Sequence, residues 1–434
     1  MPLETPPHNG SAGAPPYREC LDELRQILER EGSLGLLLID VSQLAQVERD
    51  YGSRAFAKVL GRATDLVKEL RGSEVRGSDV LALSDKGGDA FLVFLSPKRY
   101  EAQLRVADLR AAAGRVESFL NRKLARLTSP YLRGPQEVTV GFSLVLFNPL
   151  VMPERLIARL VDEAWECVRV QRMQRRFQDR SQLQEILMED QLVTAFQPIV
   201  HLREPRTLGY EALSRGPAGS RYQNPVSLFA VASDLDLVFE LDRACRHCAL
   251  LAARRLPPDA KLFLNVFPSC MYDPVFQGAN LIRLLEGLGL GPERIVLEIT
   301  EKYAIENYTL FVEALHSFTQ MGFEIAVDDI GAGYSGLEKI AHLNPRYLKF
   351  DMQLVRDIDA SYIRQEMARA LKAFADKMDS TIIAEGIERG GELRTLVDLG
   401  MEYGQGFLLG RPSEGFDNLV SLAADAGAAR GEHP

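Results

Sequence analysis

The chain predicts an α/β protein in two parts, a (β/α)8 TIM-like barrel preceded by an α+β domain. Three observations carry that expectation. The 434 residues suffice for two or three domains at roughly 100–200 residues each. A hydrophobic fraction of 46% with 26% charged residues belongs to a folded chain, not a disordered one. From about residue 183, eight short apolar runs mostly alternate with helical stretches, whereas in the first 150 or so residues helices and strands surround a β-hairpin.

Met1 to Pro16 is rich in Pro and Gly and reads as a flexible tail. It lacks the basic-then-apolar pattern of a signal peptide, and no apolar run reaches the roughly 20 residues of a membrane span. The expectation is a cytoplasmic protein. A helix follows over about Tyr17 to Glu31, then a buried strand at Leu34 to Ile39. Ala45 to Leu70 reads as helix. Val80 to Leu83 and Ala90 to Leu95 read as a β-hairpin around the turn Asp85 to Asp89. Leu104 to Leu127 is helical and Val138 to Phe147 strand-like. These elements make an α+β domain over 17–152. Pro153 opens a long helix through about Arg176, giving a helical connector over 153–182 whose end, Arg172 to Arg180, is basic.

The second part, 183–427 with a short tail at 428–434, repeats one theme. Its strand-like runs are Phe196–Val200, Leu208–Leu213, Leu262–Val266, Ile295–Ile299, Glu324–Val327, Tyr347–Phe350, Thr381–Ala384 and Gly404–Leu409. Alternating strand and helix predicts a parallel sheet, and eight such units predict a closed barrel. In such barrels the chemistry sits at the C-terminal ends of the strands. Those ends carry Glu211, Asn265, Glu298, Asp328 with Asp329, Lys349, Glu385 and Gln405. One charged strand end is usually a solvated loop residue. This many from successive strands converge, and carboxylates crowded into one mouth stay ionised together only with cations among them. All-oxygen ligands without clustered His or Cys suit Mg²⁺ or Mn²⁺. The Asp328-Asp329 pair suggests two ions, which favours in-line displacement at phosphorus. No HExxH motif is present.

Charge agrees with this division. The net charge is −9, which argues against a nucleic-acid binder. Residues 1–180 hold 27 basic and 24 acidic residues, and the remainder 24 basic and 36 acidic. Five cysteines are no disulfide framework. Cys20, Cys167 and Cys270 are scattered, and Cys245-Arg246-His247-Cys248 is a lone CxxC in an amphipathic helical stretch, read as structural.

Gln197-Pro198-Ile199-Val200, Glu211-Ala212-Leu213-Ser214-Arg215, Asn265 and Glu298-Ile299-Thr300-Glu301 stand in one order with Asp328-Asp329-Ile330-Gly331-Ala332-Gly333-Tyr334-Ser335. Leu348-Lys349-Phe350-Asp351, Ala384-Glu385-Gly386-Ile387-Glu388 and Gly404-Gln405-Gly406-Phe407 continue it. The set resembles the EAL-domain cyclic di-GMP phosphodiesterases, from about Leu183 to Gly427. The resemblance implies roles. Glu211, Asn265, Glu298 and Asp328 hold a first divalent ion, Mg²⁺ or Mn²⁺. Asp328, Asp329 and Glu385 hold or organise a second. Lys349 orients the attacking water and counters phosphate charge. Gln197 and Arg215 contact the substrate, Glu301 anchors the loop from Asp329 to Ser335, and Glu388 and Gln405 complete the site. It also implies a homodimer through the barrel domain.

Gly87-Gly88-Asp89-Ala90-Phe91, with Asp40, Tyr51-Gly52 and Asp162-Glu163-Ala164, resembles the GGDEF signature set of diguanylate cyclases in degenerate form. Ala90 replaces the signature's Glu, and Glu48 and Arg49 stand where that family places Asn and Asp. The resemblance therefore implies no cyclase activity, and a regulatory domain to which an unknown protein could also bind. Arg76-Gly77-Ser78-Asp79 resembles that family's RxxD inhibition site, but its spacing to Gly87 is too long, so a surface turn salt bridge is the simpler reading. The function implied is hydrolysis of cyclic di-GMP to linear pGpG. A catalytically silent cyclic di-GMP receptor or scaffold is the alternative, and an unrelated barrel acting on another phosphate ester is a third.

Overall fold

A computed structural model of the chain describes residues 14–70, 76, 79–84, 90–97, 104–128, 138–300, 315–331 and 337–416. The chain divides into two compact units, Met1–Ser181 and Gln182–Pro434.

The first unit is built on a four-stranded antiparallel sheet. Its strands are β1 (Ser33–Asp40), β2 (Val80–Leu83), β3 (Ala90–Leu95) and β4 (Thr139–Leu146), in the order β2-β3-β1-β4. β1 is buried at every position because helices cover both faces. Leu37, Ile39, Phe91 and Val93 pack on one side with the helices Ser53–Glu69 and Val106–Thr128. Leu36, Leu38, Leu92 and Phe94 pack on the other with Leu21–Glu31 and the start of Pro153–Met188. Burial on both faces is why β1 reads as a continuous apolar run instead of an alternating one. The expected hairpin pairs as β2 with β3; its turn, including Gly87-Gly88-Asp89, lies outside the described residues.

Three boundaries differ from expectation. The tail does not extend to Pro16: Pro16 bridges Leu83, and Leu83 N–H donates to Pro15 O at 2.8 Å. The helix expected over Ala45–Leu70 breaks into Ala45–Tyr51 and Ser53–Glu69, because Gly52 sits at φ 83°, which glycine adopts without strain. The helix from Pro153 continues to Met188, 36 residues, with nothing in its sequence to stop it at Arg176.

The second unit is a closed eight-stranded barrel with helices between its strands. The strands are β5 (Val193–His201), β6 (Thr207–Arg215), β7 (Lys261–Asn265), β8 (Ile295–Thr300), β9 (Glu324–Ile330), β10 (Tyr347–Phe350), β11 (Thr381–Ala384) and β12 (Tyr403–Gly404). The sheet is not wholly parallel. β5 runs antiparallel to both β6 and β12. The reason is chain length: residues 202–206 connect β5 to β6, enough for a hairpin, whereas a parallel crossover needs about a dozen residues or more. β12 is also shorter than expected, two residues instead of Gly404–Leu409, because residues 406–410 leave the sheet in a turn.

Strand periodicity separates two cores. Leu262, Leu264, Leu297, Val327, Leu348 and Ile382 belong to the large cluster packed with the helices. Ile199, Phe263, Val296, Ala326, Tyr347, Ile383 and Tyr403 form a separate cluster, the barrel interior. Two residues further along each of these strands, or two back on the reversed β5, the interior residue becomes polar: Gln197, Asn265, Glu298, Asp328, Lys349, Glu385 and Gln405. Side chains two apart share a face. A polar layer therefore rests on an apolar floor. Among the described residues no helix is long and apolar enough to cross a membrane.

Candidate active site

Lys349 stands at the centre of the polar layer. Its side chain is wholly buried, and Nζ lies 2.8 Å from Glu385 Oε1, 2.9 Å from Glu298 Oε1, and 3.4 Å from both Glu211 Oε2 and Asp328 Oδ1. Strands β6, β8, β9 and β11 deliver those carboxylates, or end just before them. Glu211 is also held by amides: Asn265 Nδ2 donates to Oε1 at 3.0 Å and Gln405 Nε2 to Oε2 at 2.6 Å. Gln197, buried, lies across the β5–β6 ladder from Glu211 and donates from Nε2 to Gly410 O at 3.2 Å.

Glu211 is not at a strand end as expected. It is the fifth residue of β6, which continues to Arg215 because the antiparallel β5 pairs with its whole length. Arg215 shares the strand face of Glu211 and is half-buried at the end of β6, opposite Val193.

Asp328 and Asp329 meet the site through an irregularity. On the β9–β10 ladder, Val327 pairs with Leu348 and Ile330 with Phe350, so two aspartates oppose the single residue Lys349. This is the two-against-one pattern of a β-bulge. Asp329 takes φ 60°, uncommon for a side chain other than glycine, and its N–H donates to Asp328 Oδ1 at 2.9 Å. Strict alternation would send consecutive side chains to opposite faces. With the bulge, Asp328, Asp329 and Glu385 each offer an oxygen within 4.8 Å of the others. Glu211, Glu298 and Asp328 do the same, so Asp328 belongs to both groups. Gly386, directly after Glu385, sits at φ 69°, and a Cβ there would meet Met352 Cβ at 2.5 Å.

Four carboxylates around one ammonium leave an excess of buried negative charge. Burial pushes Glu298 and Glu385 well above the usual carboxylate range, with neighbouring carboxylates adding to it against Lys349. Burial and Glu211 likewise push Asp328 up, while Lys349 opposes. Burial and Asp328 raise Asp329 to about 6. Glu211 is the exception. Burial acts to raise it, but Lys349, Gln405 and Asn265 together pull it below its ordinary value. Burial alone would lower Lys349; Asp328, Glu211, Glu298 and Glu385 hold it well above. Glu298 Oε2 and Gln405 Oε1 are buried with no hydrogen-bond partner among the described residues. Buried polar atoms in native proteins are normally satisfied, so these two are available to ligate a bound group. Hard oxygen donors, excess negative charge and an orphaned carboxylate oxygen together fit divalent cations.

Asp351 joins the site although its functional weight was not read from the sequence. It is buried, its Oδ1 caps the short helix Met352–Val355 through Gln353 N–H at 2.6 Å, and its charge helps to raise Asp329. The signal available was its place in the stretch Leu348-Lys349-Phe350-Asp351, where it was given no role of its own. Glu388 is exposed and is not among the carboxylates around Lys349; the contact at that residue is its N–H donating to Glu392 Oε2 at 3.1 Å. It lies three residues beyond Glu385, after β11 has ended. Glu301 and residues 332–336 lie outside the described residues.

The cysteines take no part. Cys245 and Cys248 lie on the helix Val238–Ala252, all five cysteines are free, and burial pushes the Cys245 thiol up to about 12.

Known proteins share this architecture. The chain is 28% identical over 407 residues to "Cyclic di-GMP phosphodiesterase PdeR" of Escherichia coli, covering 87% of this chain and 57% of that protein. It is 30% identical over 245 residues to "Cyclic di-GMP phosphodiesterase NbdA" of Pseudomonas aeruginosa, covering 54% of this chain and 30% of that protein. A solved structure described as "PaMucR Phosphodiesterase, c-di-GMP complex" superposes with a TM-score of 0.50 at 26% identity, over 54% of this chain and 97% of that one. The chain thus spans little more than half the length of PdeR and less of NbdA. The EAL domain family matches residues 180–412, more than half of the sequence, and the chain belongs to that family.

Proposed function

We propose that this protein hydrolyses one phosphodiester of cyclic di-GMP to give linear pGpG. The observation that carries the proposal is the convergence of Glu211, Glu298, Asp328 and Glu385 on Lys349 at the barrel mouth. Relatives named for this activity support it, as does the solved complex with c-di-GMP.

In this reading Glu211, Asn265, Glu298 and Asp328 hold one divalent ion, and Asp328, Asp329 and Glu385 hold a second. Bound there, Mg²⁺ or Mn²⁺ supplies an activated water and neutralises charge on the phosphoryl and leaving oxygens. The remaining work falls to the chain. Lys349 orients the water and offsets phosphate charge. Gln405 and Asn265 fix the rotamer of Glu211. Gln197 and Arg215 position the substrate, Arg215 by a planar donor pair suited to phosphate or a guanine edge. The apolar floor of Phe263, Val296 and Ile383 keeps bulk water from below. Glu301 and Glu388 retain only the support of the family resemblance.

The first unit is proposed to be a degenerate GGDEF-like domain, catalytically silent and regulatory, in a cytoplasmic protein that pairs through its barrel. Its Asp40 carboxylate is buried, lies 2.5 Å from Arg172 Nη2 and accepts from Ser42 N–H at 3.0 Å. An internal guanidinium there already supplies the charge a metal would bring. Asp79 is buried too, and its Oδ2 accepts from Arg76 N–H at 2.7 Å, so this pair closes a turn through the backbone.

The test is product analysis with purified protein, cyclic di-GMP and each metal. Linear pGpG from the wild type and none from Glu211→Ala support the reading. Tight binding without turnover favours the silent receptor, and preferential hydrolysis of a simple sugar phosphate favours an unrelated esterase.

A further inference from the structure

The sheet of the first unit has two edge strands, β2 and β4. An open edge offers unpaired backbone groups to other chains, and proteins blunt such edges with proline, charge or cover. β2 is blunted: Leu83 N–H donates to Pro15 O at 2.8 Å, and Pro16 bridges Leu83. β4 is blunted over its first part only. Which of its groups face outward follows from the ladder. Phe147 N–H donates to Gly32 O at 2.9 Å, one step beyond the pairing of Leu146 with Ser33. Antiparallel ladders alternate, so odd-numbered residues of β4 bond β1 and even-numbered ones turn N–H and C=O away from it. The helix Val106–Thr128 caps the first two outward amides. Asn121 Oδ1 accepts from Val138 N–H at 2.7 Å, and Glu117 Oε2 from Val140 N–H at 3.1 Å. Among the described residues nothing does the same for Phe142, Leu144 or Leu146.

The open stretch, Phe142-Ser143-Leu144-Val145-Leu146, carries no charge and no proline. A cleft of about 320 Å³ between the helices Val106–Thr128 and Pro153–Met188 includes Val140 and Phe142, so the edge can be approached there. Leu146 is 65% exposed. The Arg110 guanidinium lies 5.9 Å from the Phe142 ring centroid, and Val106, one turn earlier on the same helix face, is exposed. Leu150 and Met152, just after the strand, are exposed too. Singly scattered apolar residues need no explanation, but an uncharged edge flanked by them is a surface for pairing.

We propose that β4 pairs with β4 of a second copy of the chain, antiparallel across a two-fold axis at Leu144. The limits of the open stretch argue for this occupant. Leu144 is its middle residue, so reversed pairing with itself uses every open N–H. Leu144 N–H donates to Leu144 O of the second copy, Phe142 N–H to Leu146 O, and Leu146 N–H to Phe142 O, each bond being returned. Phe142, Leu144 and Leu146 share a face, so apolar side chains stand directly opposite one another and no like charges meet. A charged peptide would find no complement along these five residues. The contact is separate from pairing through the barrel and does not depend on the activity proposed above.

Hydrogen exchange on the full chain, read by mass spectrometry on peptides covering 142–146, tests the pairing. Exchange there should slow on the order of ten-fold as protein concentration rises about a hundred-fold, while β1, paired in every state, stays unchanged. Leu146→Lys puts charge on the exposed edge and should abolish this concentration dependence. Leu144→Pro should do the same, since it removes only an outward N–H and leaves the bonds of Ser143 and Val145 to β1. Leu144→Cys should crosslink two copies under oxidation where the wild type does not. The two-fold sets this position opposite itself with Cα atoms about 5.5 Å apart, within disulfide reach. Fast exchange at every concentration overturns the proposal. So does slow exchange that dilution leaves unchanged, which would mean cover from within the chain. A Leu146→Lys protein still protected at high concentration overturns it as well, as does a Leu144→Cys protein that crosslinks no better than the wild type.

Discussion

Asp328 and Asp329 are consecutive residues of one strand, yet both stand opposite Lys349 on the neighbouring strand. The bulge that allows this gives them unequal positions. Asp328 belongs to both candidate ion groups, and Asp329 to one.

Substitution at the two should therefore differ. Asp329→Asn is expected to lose at least the roughly 10–100-fold in metal affinity that removing an outer partner of a metal ligand costs, with turnover falling alongside. Asp328→Asn should lose more, because both groups are damaged. Metal titration and steady-state rates on each variant check this, and equal losses contradict a shared role for Asp328.

Lys349 is the one cation within reach of four carboxylates in the described site, Glu211 and Glu298 buried and Asp328 and Glu385 partly so. Lys349→Met in metal-free protein should cost about 3–5 kcal/mol, the usual penalty for removing one partner of a buried ionic group. The loss should be larger at pH 8 than at pH 5.5. Glu298 and Glu385 already have raised affinities for protons, so at the lower pH they neutralise themselves and need the lysine less. Added Mn²⁺ should recover most of the lost stability. Urea unfolding at the two pH values decides it; a pH-independent loss contradicts the electrostatic account. In assays with metal, Lys349→Ala should lower turnover far more than cyclic di-GMP affinity.

Metal binding should release protons. With Asp329 raised to about 6, and burial pushing Glu298 and Glu385 well above the usual carboxylate range, the metal-free site holds protons that a cation must displace. Affinity for Mg²⁺ or Mn²⁺ should fall as pH drops from 8 toward 6. Calorimetry in buffers of different ionisation enthalpy reads the protons directly, and zero release contradicts the shifts.

How much of this was legible beforehand can be judged from single residues. The interior polar layer could be read because each member ends or follows an apolar run, as with Val296 before Glu298 and Tyr347 before Lys349. The direction of β5 could have been read from the short connection at 202–206, but the alternating pattern suggested uniform crossovers. The bulge at Asp328-Asp329 could not be read, since it depends on how β9 meets β10 and not on either strand alone. Glu388 was carried by family resemblance, and its exposure shows that sharing a motif with Glu385 does not put a side chain beside it.

A second buried ionic group makes a separate prediction. Arg246 Nε lies 3.0 Å from Asp242 Oδ2, and its Nη2 lies 3.2 Å from Asp273 Oδ2, with all three side chains nearly inaccessible. Burial outweighs Arg246 and raises Asp242 to about 6. A carboxyl whose folded value exceeds its unfolded value of 3.8 favours the folded state most below that value, and this contribution is lost as pH rises through 6. The loss is on the order of 3 kcal/mol from a shift of about two units. The difference in stability between wild type and Asp242→Asn should change by that order between pH 4 and 7, the wild type losing ground as pH rises. A flat difference contradicts the assignment.

The most direct test of the central claim is the conversion of cyclic di-GMP by the purified chain, followed by chromatography of the products. With Mg²⁺ or Mn²⁺ the wild type should yield linear pGpG, and with chelator, or with Glu211→Ala, it should yield none. Failure of the metal-loaded wild type to turn over cyclic di-GMP would contradict the account.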